Sequence, residues 1–256
     1  LAALTRRALA VECLEQRALL SLEPVSIADA LLSGRSGDGN SLMRQQAASI
    51  SADGQLVVFQ STADDLVAND TNQASNCACA LNDVFLFNRA TGQTSLVSVN
   101  AAGTGSGDRD SFNPKISADG RFVLFESNAT NLTATPAGVT NVYMRDLQTA
   151  TTLLVSVGMT GTAAGNNNSQ NATVSSDGRF VAFESYATNL VAGDANGRRD
   201  IFVRDLVAAT TTLVSNVLGG TASGNGESFD PRISDHGRFV AFGSLASDLV
   251  ANDGTN

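Results

Sequence analysis

A block of about 59 residues recurs along the chain, and a sequence that repeats at such a period builds its fold one unit at a time. The first anchor reads Ile50-Ser-Ala-Asp-Gly54, Ile116-Ser-Ala-Asp-Gly120, Val174-Ser-Ser-Asp-Gly178 and Ile233-Ser-Asp-His-Gly237. The interval from Gly54 to Gly120 is the longest, and the two that follow, to Gly178 and to Gly237, are nearly equal. Each copy runs into an apolar stretch that closes on Phe59, Phe125, Phe183 or Phe242. A second anchor follows as Asp83-Val-Phe-Leu-Phe, Asn141-Val-Tyr-Met-Arg and Asp200-Ile-Phe-Val-Arg. A third follows as Leu96-Val-Ser98, Leu154-Val-Ser156 and Leu213-Val-Ser215. Both recur at the shorter interval throughout, so the extra length of the first repeat lies between Gly54 and Asp83.

Each repeat reads as four short strands. The first is brief, as in Phe229-Asp-Pro-Arg-Ile-Ser234, and the second is Arg179-Phe-Val-Ala-Phe-Glu-Ser185. Asp-Gly stands between them in three copies, and between apolar runs it predicts a type I′ turn with positive φ at both centres. His236 takes the Asp position in the fourth copy, where a left-handed turn residue is expected. The third strand is Asp200–Leu206 and the fourth Thr211–Ser215. Phe, Val, Ile and Thr fill these segments and suit a pleated surface. The second strand is apolar on both faces, Phe180 and Ala182 on one and Val181 and Phe183 on the other. A small sheet held between two like sheets hides both faces, which is the situation of a β-propeller blade. A β-sandwich, the main competitor, gives inside/outside alternation more often.

The proline, the Ser-x-Asp-Gly-Arg turn, the apolar strand ending in Phe and the later Asp-Ile-Phe-Val-x-Asp resemble the TolB-type, WD-like propeller repeat of secreted and periplasmic bacterial proteins. Pro231 to Phe242 and Asp200 to Leu206 carry the likeness, which covers about residues 36 to 256. The resemblance implies an all-β propeller over residues 33–256, with blades at about 48–98, 113–156, 171–215 and an incomplete one at 230–256. Propellers close with about four to eight blades. Three and a half blades do not close a ring, so the expectation is a fragment of a larger protein, with closure by a second copy as the lesser alternative. Such propellers serve as docking platforms, as gates of serine peptidases and as some polysaccharide lyases, and fold does not fix function.

Residues 1–32 differ in kind, being rich in Ala and Leu without strand signature. Leu14-Glu-Gln-Arg-Ala-Leu-Leu-Ser21 resembles a leader motif of large extracellular proteins of planctomycete-type bacteria. The alternative is a short amphipathic helix beside the propeller. Glu12, Glu15 and Arg17 interrupt any clean apolar core, so the segment is not an ordinary secretory signal.

Charge narrows the partners. Sixteen basic residues against 25 acidic give a net charge of −9, which argues against a nucleic-acid binder. No apolar run reaches the roughly 18 residues that cross a bilayer as a helix. A single histidine, His236, leaves few versions of a Ser/His/Asp triad or a multi-histidine metal site.

Asp194-Ala-Asn-Gly-Arg-Arg-Asp200 is the most suggestive polar pattern. Calcium takes several converging oxygen ligands, and Asp194, Asn196 and Asp200 are so spaced. Asp70 and Asn72 begin a similar loop that Asp83 completes after the insertion, and Asp253 begins another. The second repeat has no acid in this stretch (Thr135 to Asn141). The competing reading is that Asp and Asn shape these turns by local hydrogen bonds. The loops Gly103 to Asp110, Gly161 to Asn168 and Gly219 to Gly226 are rich in small polar residues, but lack the Walker spacing and Lys, and read as blade-to-blade crossovers. Cys77 and Cys79 lie in the first repeat's insertion, as a local bridge or as two thiols in an exposed loop, while Cys13 lies in the leader-like segment. Ser51, Ser117, Ser175 and Ser234 recur at one position, pointing to a structural hydroxyl near the turn. Glu126 and Glu184 end the second strand in two repeats, a placement that does not give the defined carboxylate pair of glycoside hydrolysis.

These readings lead to an expectation of a non-enzymatic, extracellular or cell-surface binding module, with the periplasm as the alternative compartment. Its partner would be a protein, a peptide or a cell-envelope glycan, and no catalytic residue is assigned. The alternatives are a propeller tied to a hydrolase or lyase whose catalytic part lies outside this chain, and a calcium-stabilised adhesion module.

Overall fold

A computed structural model describes residues 48–72, 81–135 and 137–251. The leader-like segment, the three cysteines and Asp253 lie outside the described residues. The protein is all-β there, with 14 strands. β1 (Ala48–Ile50), β2 (Leu56–Ser61), β3 (Asp83–Asn88) and β4 (Gln93–Leu96) form the first sheet. β5 (Ser111–Ile116), β6 (Phe122–Ser127), β7 (Asn141–Asp146) and β8 (Thr151–Leu154) form the second. β9 (Ser169–Val174), β10 (Phe180–Ser185), β11 (Asp200–Asp205) and β12 (Thr210–Leu213) form the third. β13 (Ser228–Ile233) and β14 (Val240–Ser244) pair as a two-stranded fourth. Every pairing is antiparallel between sequence neighbours, so each sheet is a meander.

The sheets pack face to face, as the doubly apolar second strand requires. Val123, Phe125 and Tyr143 meet Val58 and Val84 of the first sheet. Leu124, Val142 and Met144, on the opposite face of the second sheet, meet Val181, Phe183 and Phe202 of the third. The second sheet is therefore sandwiched between two neighbours. Within each complete sheet an aromatic pair lies stacked across strands two and three: Phe59 on Phe85 at 5.7 Å, Phe125 on Tyr143 at 5.7 Å and Phe183 on Phe202 at 5.8 Å. This stack of repeating four-stranded antiparallel sheets is the architecture of propeller blades.

The turn between first and second strands departs from the type I′ expectation. Between β1 and β2, among residues 51–55, only Gly54 has positive φ (69°). The Gly54 N–H donates to the Ser51 carbonyl at 2.9 Å, giving a turn that ends on a left-handed glycine. The cause is the serine. Ser51 Oγ donates to Asp53 Oδ1 at 2.5 Å and accepts the Leu56 N–H at 3.0 Å, while Asp53 Oδ1 accepts the Gln55 N–H at 3.0 Å. Ser117 with Asp119 and Ser175 with Asp177 repeat this bond set. His236 is likewise not left-handed; Gly237 takes the positive φ. Ser234 Oγ still accepts the Phe239 N–H at 3.0 Å. The glycine also serves packing between sheets: a Cβ on Gly178 would come within 2.1 Å of the Phe122 ring, and one on Gly237 within 2.2 Å of the Phe180 ring.

Candidate functional site

Strand polarity divides the molecule into two unlike ends. The Ser-x-Asp-Gly turns and the short turns between third and fourth strands lie at one end. The longer loops between second and third strands, with the crossovers into the next sheet, lie at the other. All six residues of the expected calcium loops sit at this long-loop end.

The structure brings Asn196 to Asp200 and Asn72 to Asp83, and it does so in the same way twice. Asn196 Nδ2 donates to Asp200 Oδ2 at 2.8 Å and to the Gly224 carbonyl at 2.7 Å. Asn72 Nδ2 donates to Asp83 Oδ2 at 2.7 Å and to the Gly107 carbonyl at 2.8 Å. The other oxygen of each Asp accepts a serine hydroxyl at 2.6 Å, Ser215 for Asp200 and Ser98 for Asp83. In the second repeat Asn141 stands in the Asp place. It accepts from Ser156 Oγ at 2.8 Å and gives its own amide to the Val139 carbonyl at 2.9 Å. The amide donor has moved onto the strand residue, which gives a physical reason why the stretch just before it, Ala137 to Thr140, carries neither Asp nor Asn.

The outer carboxylates differ between the two loops. Asp70 Oδ1 accepts from Ser106 Oγ at 3.0 Å. Asp194 is buried, and neither of its oxygens meets a donor in hydrogen-bond geometry, although Ser223 and the Asn196 N–H lie near enough to temper its shift. Burial first, and then the charge of Asp200, push the Asp194 carboxyl up to about 6. Burial and the charge of Asp70 push Asp83 up to about 7. Among the described residues no group of three or more His, Cys, Asp or Glu gathers in metal-ligating geometry.

A second polar seam, absent from the sequence reading, stitches neighbouring sheets. Asn113, Asn171 and Asp230 sit in the first strands with φ of 53°, 52° and 53°. Each turns its backbone N–H back to the preceding sheet: Asn113 to Gln60 Oε1 at 2.9 Å, Asn171 to Glu126 Oε1 at 2.8 Å, Asp230 to Glu184 Oε2 at 3.0 Å. The register shifts at these points, so each is a bulge that frees one donor. Asn and Asp tolerate the left-handed region better than other side-chain residues. Their recurrence at one place in successive repeats was the available signal. Glu126 and Glu184 are thus buried structural acceptors. Glu184 Oε1 also takes Gln170 Nε2, Asn171 Nδ2 and Arg199 Nη1, at 2.9, 2.8 and 3.1 Å. Burial raises the Glu126 carboxyl and lowers Lys115, whose Nζ donates to the Ala172 carbonyl at 2.7 Å.

Arg199 joins the seam to the loop face. Its guanidinium bridges Glu184 at 3.1 Å and Glu227 at 3.2 Å, and lies 5.8 Å from the Tyr186 ring and 5.5 Å from the Phe229 ring. Both rings are partly open to solvent. His236 is exposed at the opposite end of the molecule, where its charge would lower the nearby Asp177 carboxyl beyond what the Ser175 hydroxyl does.

No known family profile matches the chain, and neither does any curated protein. Among solved structures it is similar to TolB from Acinetobacter baumannii, with 14% identity and a TM-score of 0.45 over 85% of this chain and 43% of that one. It is also similar to the β-propeller domain of the Trilobed protease from Pyrococcus furiosus, with 13% identity and a TM-score of 0.40 over 64% of this chain and 40% of that one. An oligogalacturonate lyase in complex with manganese shares 11% identity and a TM-score of 0.41 over 69% of this chain and 41% of that one. The chain spans less than half the length of each of these three proteins. No helix among the described residues is long and apolar enough to cross a membrane.

Proposed function

We propose that the chain is a non-enzymatic binding scaffold of the cell exterior that holds a protein, peptide or glycan on its long-loop end. One observation carries the reading: the repeat-equivalent Ser, Asp and Glu side chains are consumed in structural hydrogen bonds, while the loops that vary between repeats gather at one end. Small hydroxyl and amide side chains dominate that end, with Tyr186, Phe229 and Arg199 as its aromatic and cationic feature. The test is an array of cell-envelope glycans and random peptides probed with the whole chain. A hit that loses most of its signal in Tyr186→Ala or Arg199→Ala, and keeps it in the opposite-end variant Asp119→Ala, supports the reading. Hits indifferent to the loop-end variants would sink it, and so would turnover of peptide, ester or polyuronide substrates by the purified chain.

A second reading adds calcium at the Asp194 and Asp70 loops. It is favoured by the two oxygens of Asp194, buried beside Asp200 without a hydrogen-bonded donor. Calcium would then be held by Asp194, Asp200 and the oxygen of a rotated Asn196 amide. Under this reading calcium raises the melting temperature relative to chelator, and Asp194→Ala removes the difference. Equal melting in both buffers dismisses it.

A further inference from the structure

Arg121 and Arg179 meet Asp146 and Asp205, each at 2.7 Å, and Arg199 meets Glu184 at 3.1 Å. Arg145, half-buried near the end of β7, meets no carboxylate among the described residues. Its Nη1 donates to Thr152 Oγ1 at 2.9 Å, and the carboxylate beside it in sequence, Asp146, is taken by Arg121. Burial lowers the pKa of Arg145, and no neighbouring charge opposes that shift. Arg204 repeats the bond, to Thr211 Oγ1 at 3.0 Å, but there the charge of Asp205 acts on the guanidinium. Packing alone does not ask for a cation at this place. The register sets Arg145 opposite Thr152 in the second sheet and Phe87 opposite Thr94 in the first, and the Phe87 side chain is buried.

A cleft of about 370 Å³ opens beside this guanidinium. Arg145 of β7, Thr151 and Thr152 of β8, Leu132 and Thr133 of the loop after β6, and Asn100 of the crossover from the first sheet line it. Its volume lies at the small end of ligand sites. A guanidinium presents its donors in a planar fork that matches a carboxylate, and a half-buried cation without a counter-charge is stabilised by one. The threonines add hydroxyl chemistry of both senses. Thr152 accepts from Arg145 and keeps its own proton to donate, whereas Thr133 donates to the Thr135 carbonyl at 3.1 Å and keeps lone pairs that accept. Sugar hydroxyls need both. We infer that this cleft binds a sugar acid, its carboxylate on Arg145 and its ring hydroxyls on Thr152 and Thr133. The site goes beyond the loop-end reading and uses none of Tyr186, Phe229 and Arg199.

The test titrates the whole chain with sodium glucuronate, methyl glucoside and sodium acetate at matched ionic strength, followed by amide NMR shifts. Glucuronate should bind saturably, with its shifts gathered at β8 and at residues 132–134. Methyl glucoside lacks the charge and acetate lacks the hydroxyls, so each should bind about tenfold or more weakly. Arg145→Gln should weaken glucuronate by about tenfold or more, and Tyr186→Ala should leave it unchanged. Arg145→Phe, which copies the first sheet, should melt no lower than the wild-type chain and lose the same binding. Four results overturn the inference. They are no saturable binding of glucuronate, shifts that gather away from the cleft, acetate or methyl glucoside binding as tightly as glucuronate, and full glucuronate affinity in Arg145→Gln.

Discussion

Ser175 is buried and holds two groups of its turn together, donating to Asp177 and accepting the Phe180 N–H at 2.9 Å. Ser175→Ala leaves that N–H unsatisfied and should cost about 1–2 kcal/mol in denaturant unfolding, with Ser117→Ala costing a similar amount. Asp83 gives a pH prediction with a definite sign. Its carboxyl, raised from 3.8 to about 7, holds in the native state a proton that the unfolded chain has already released. The stability from this group is full below about pH 4 and is lost as pH rises through about 7, a change on the order of a few kcal/mol. Asp194, raised to about 6, acts in the same direction. Asp205 acts oppositely: the Arg179 guanidinium holds it below the usual carboxylate range, so its contribution is present above the unfolded pKa and fades at lower pH. That ion pair is exposed and therefore minor. Thermal melts from pH 5 to pH 8 should fall for the wild-type chain and fall less for Asp83→Asn. An unchanged slope would refute a proton held at Asp83. The Asp-Gly repeats were legible in the sequence, but the turn type was not. The serine's bond to the Asp carboxylate fixes the loop geometry, and dipeptide preference does not contain that bond.

The sheets hold one another through two kinds of contact, apolar faces and the bulge-to-carboxylate seam. Glu126 reaches from β6 to the Asn171 N–H of β9 and also takes Asn113 Nδ2 at 3.1 Å. Glu126→Ala would strand a backbone donor and a carboxamide, at a cost of about 2–4 kcal/mol. The effect should be local as well: hydrogen exchange of β9 should quicken more than that of β4, which does not touch the seam. Uniform loss of protection would show that the seam carries no directional coupling between sheets. The apolar half of this design was visible in the sequence, because a second strand apolar on both faces needs a neighbour on each side. The polar half was not. The sequence argued against Glu126 and Glu184 as a catalytic carboxylate pair but gave them no role, and only the left-handed bulges at Asn171 and Asp230 show that each is an acceptor for the next sheet.

Across the whole molecule, contacts run between neighbouring sheets, so stability is close to a sum of sheet and interface terms. Among the described residues the second and third sheets are each flanked on both sides, whereas the fourth packs on one side only and leaves Phe239 beside it exposed. Native-state hydrogen exchange should therefore rank β6, β7 and β10 as slowest and β14 as fastest among the longer strands. Equal protection of β14 and β10 would mean that the fourth sheet is covered in solution. The sequence by itself determined the architecture: one turn anchor repeated from Gly54 to Gly237, strand-forming apolar runs and doubly apolar second strands admit little besides stacked small sheets. It also placed the Asp and Asn residues of the loops at repeat-equivalent positions. Only the tertiary structure decided what those residues do. A carboxamide between two acceptors, a bulge that releases one N–H toward the preceding sheet, and a glycine pressed against a neighbouring ring join groups that belong to different repeats. Local pattern fixes the period and the faces, but such contacts exist only once the sheets have packed.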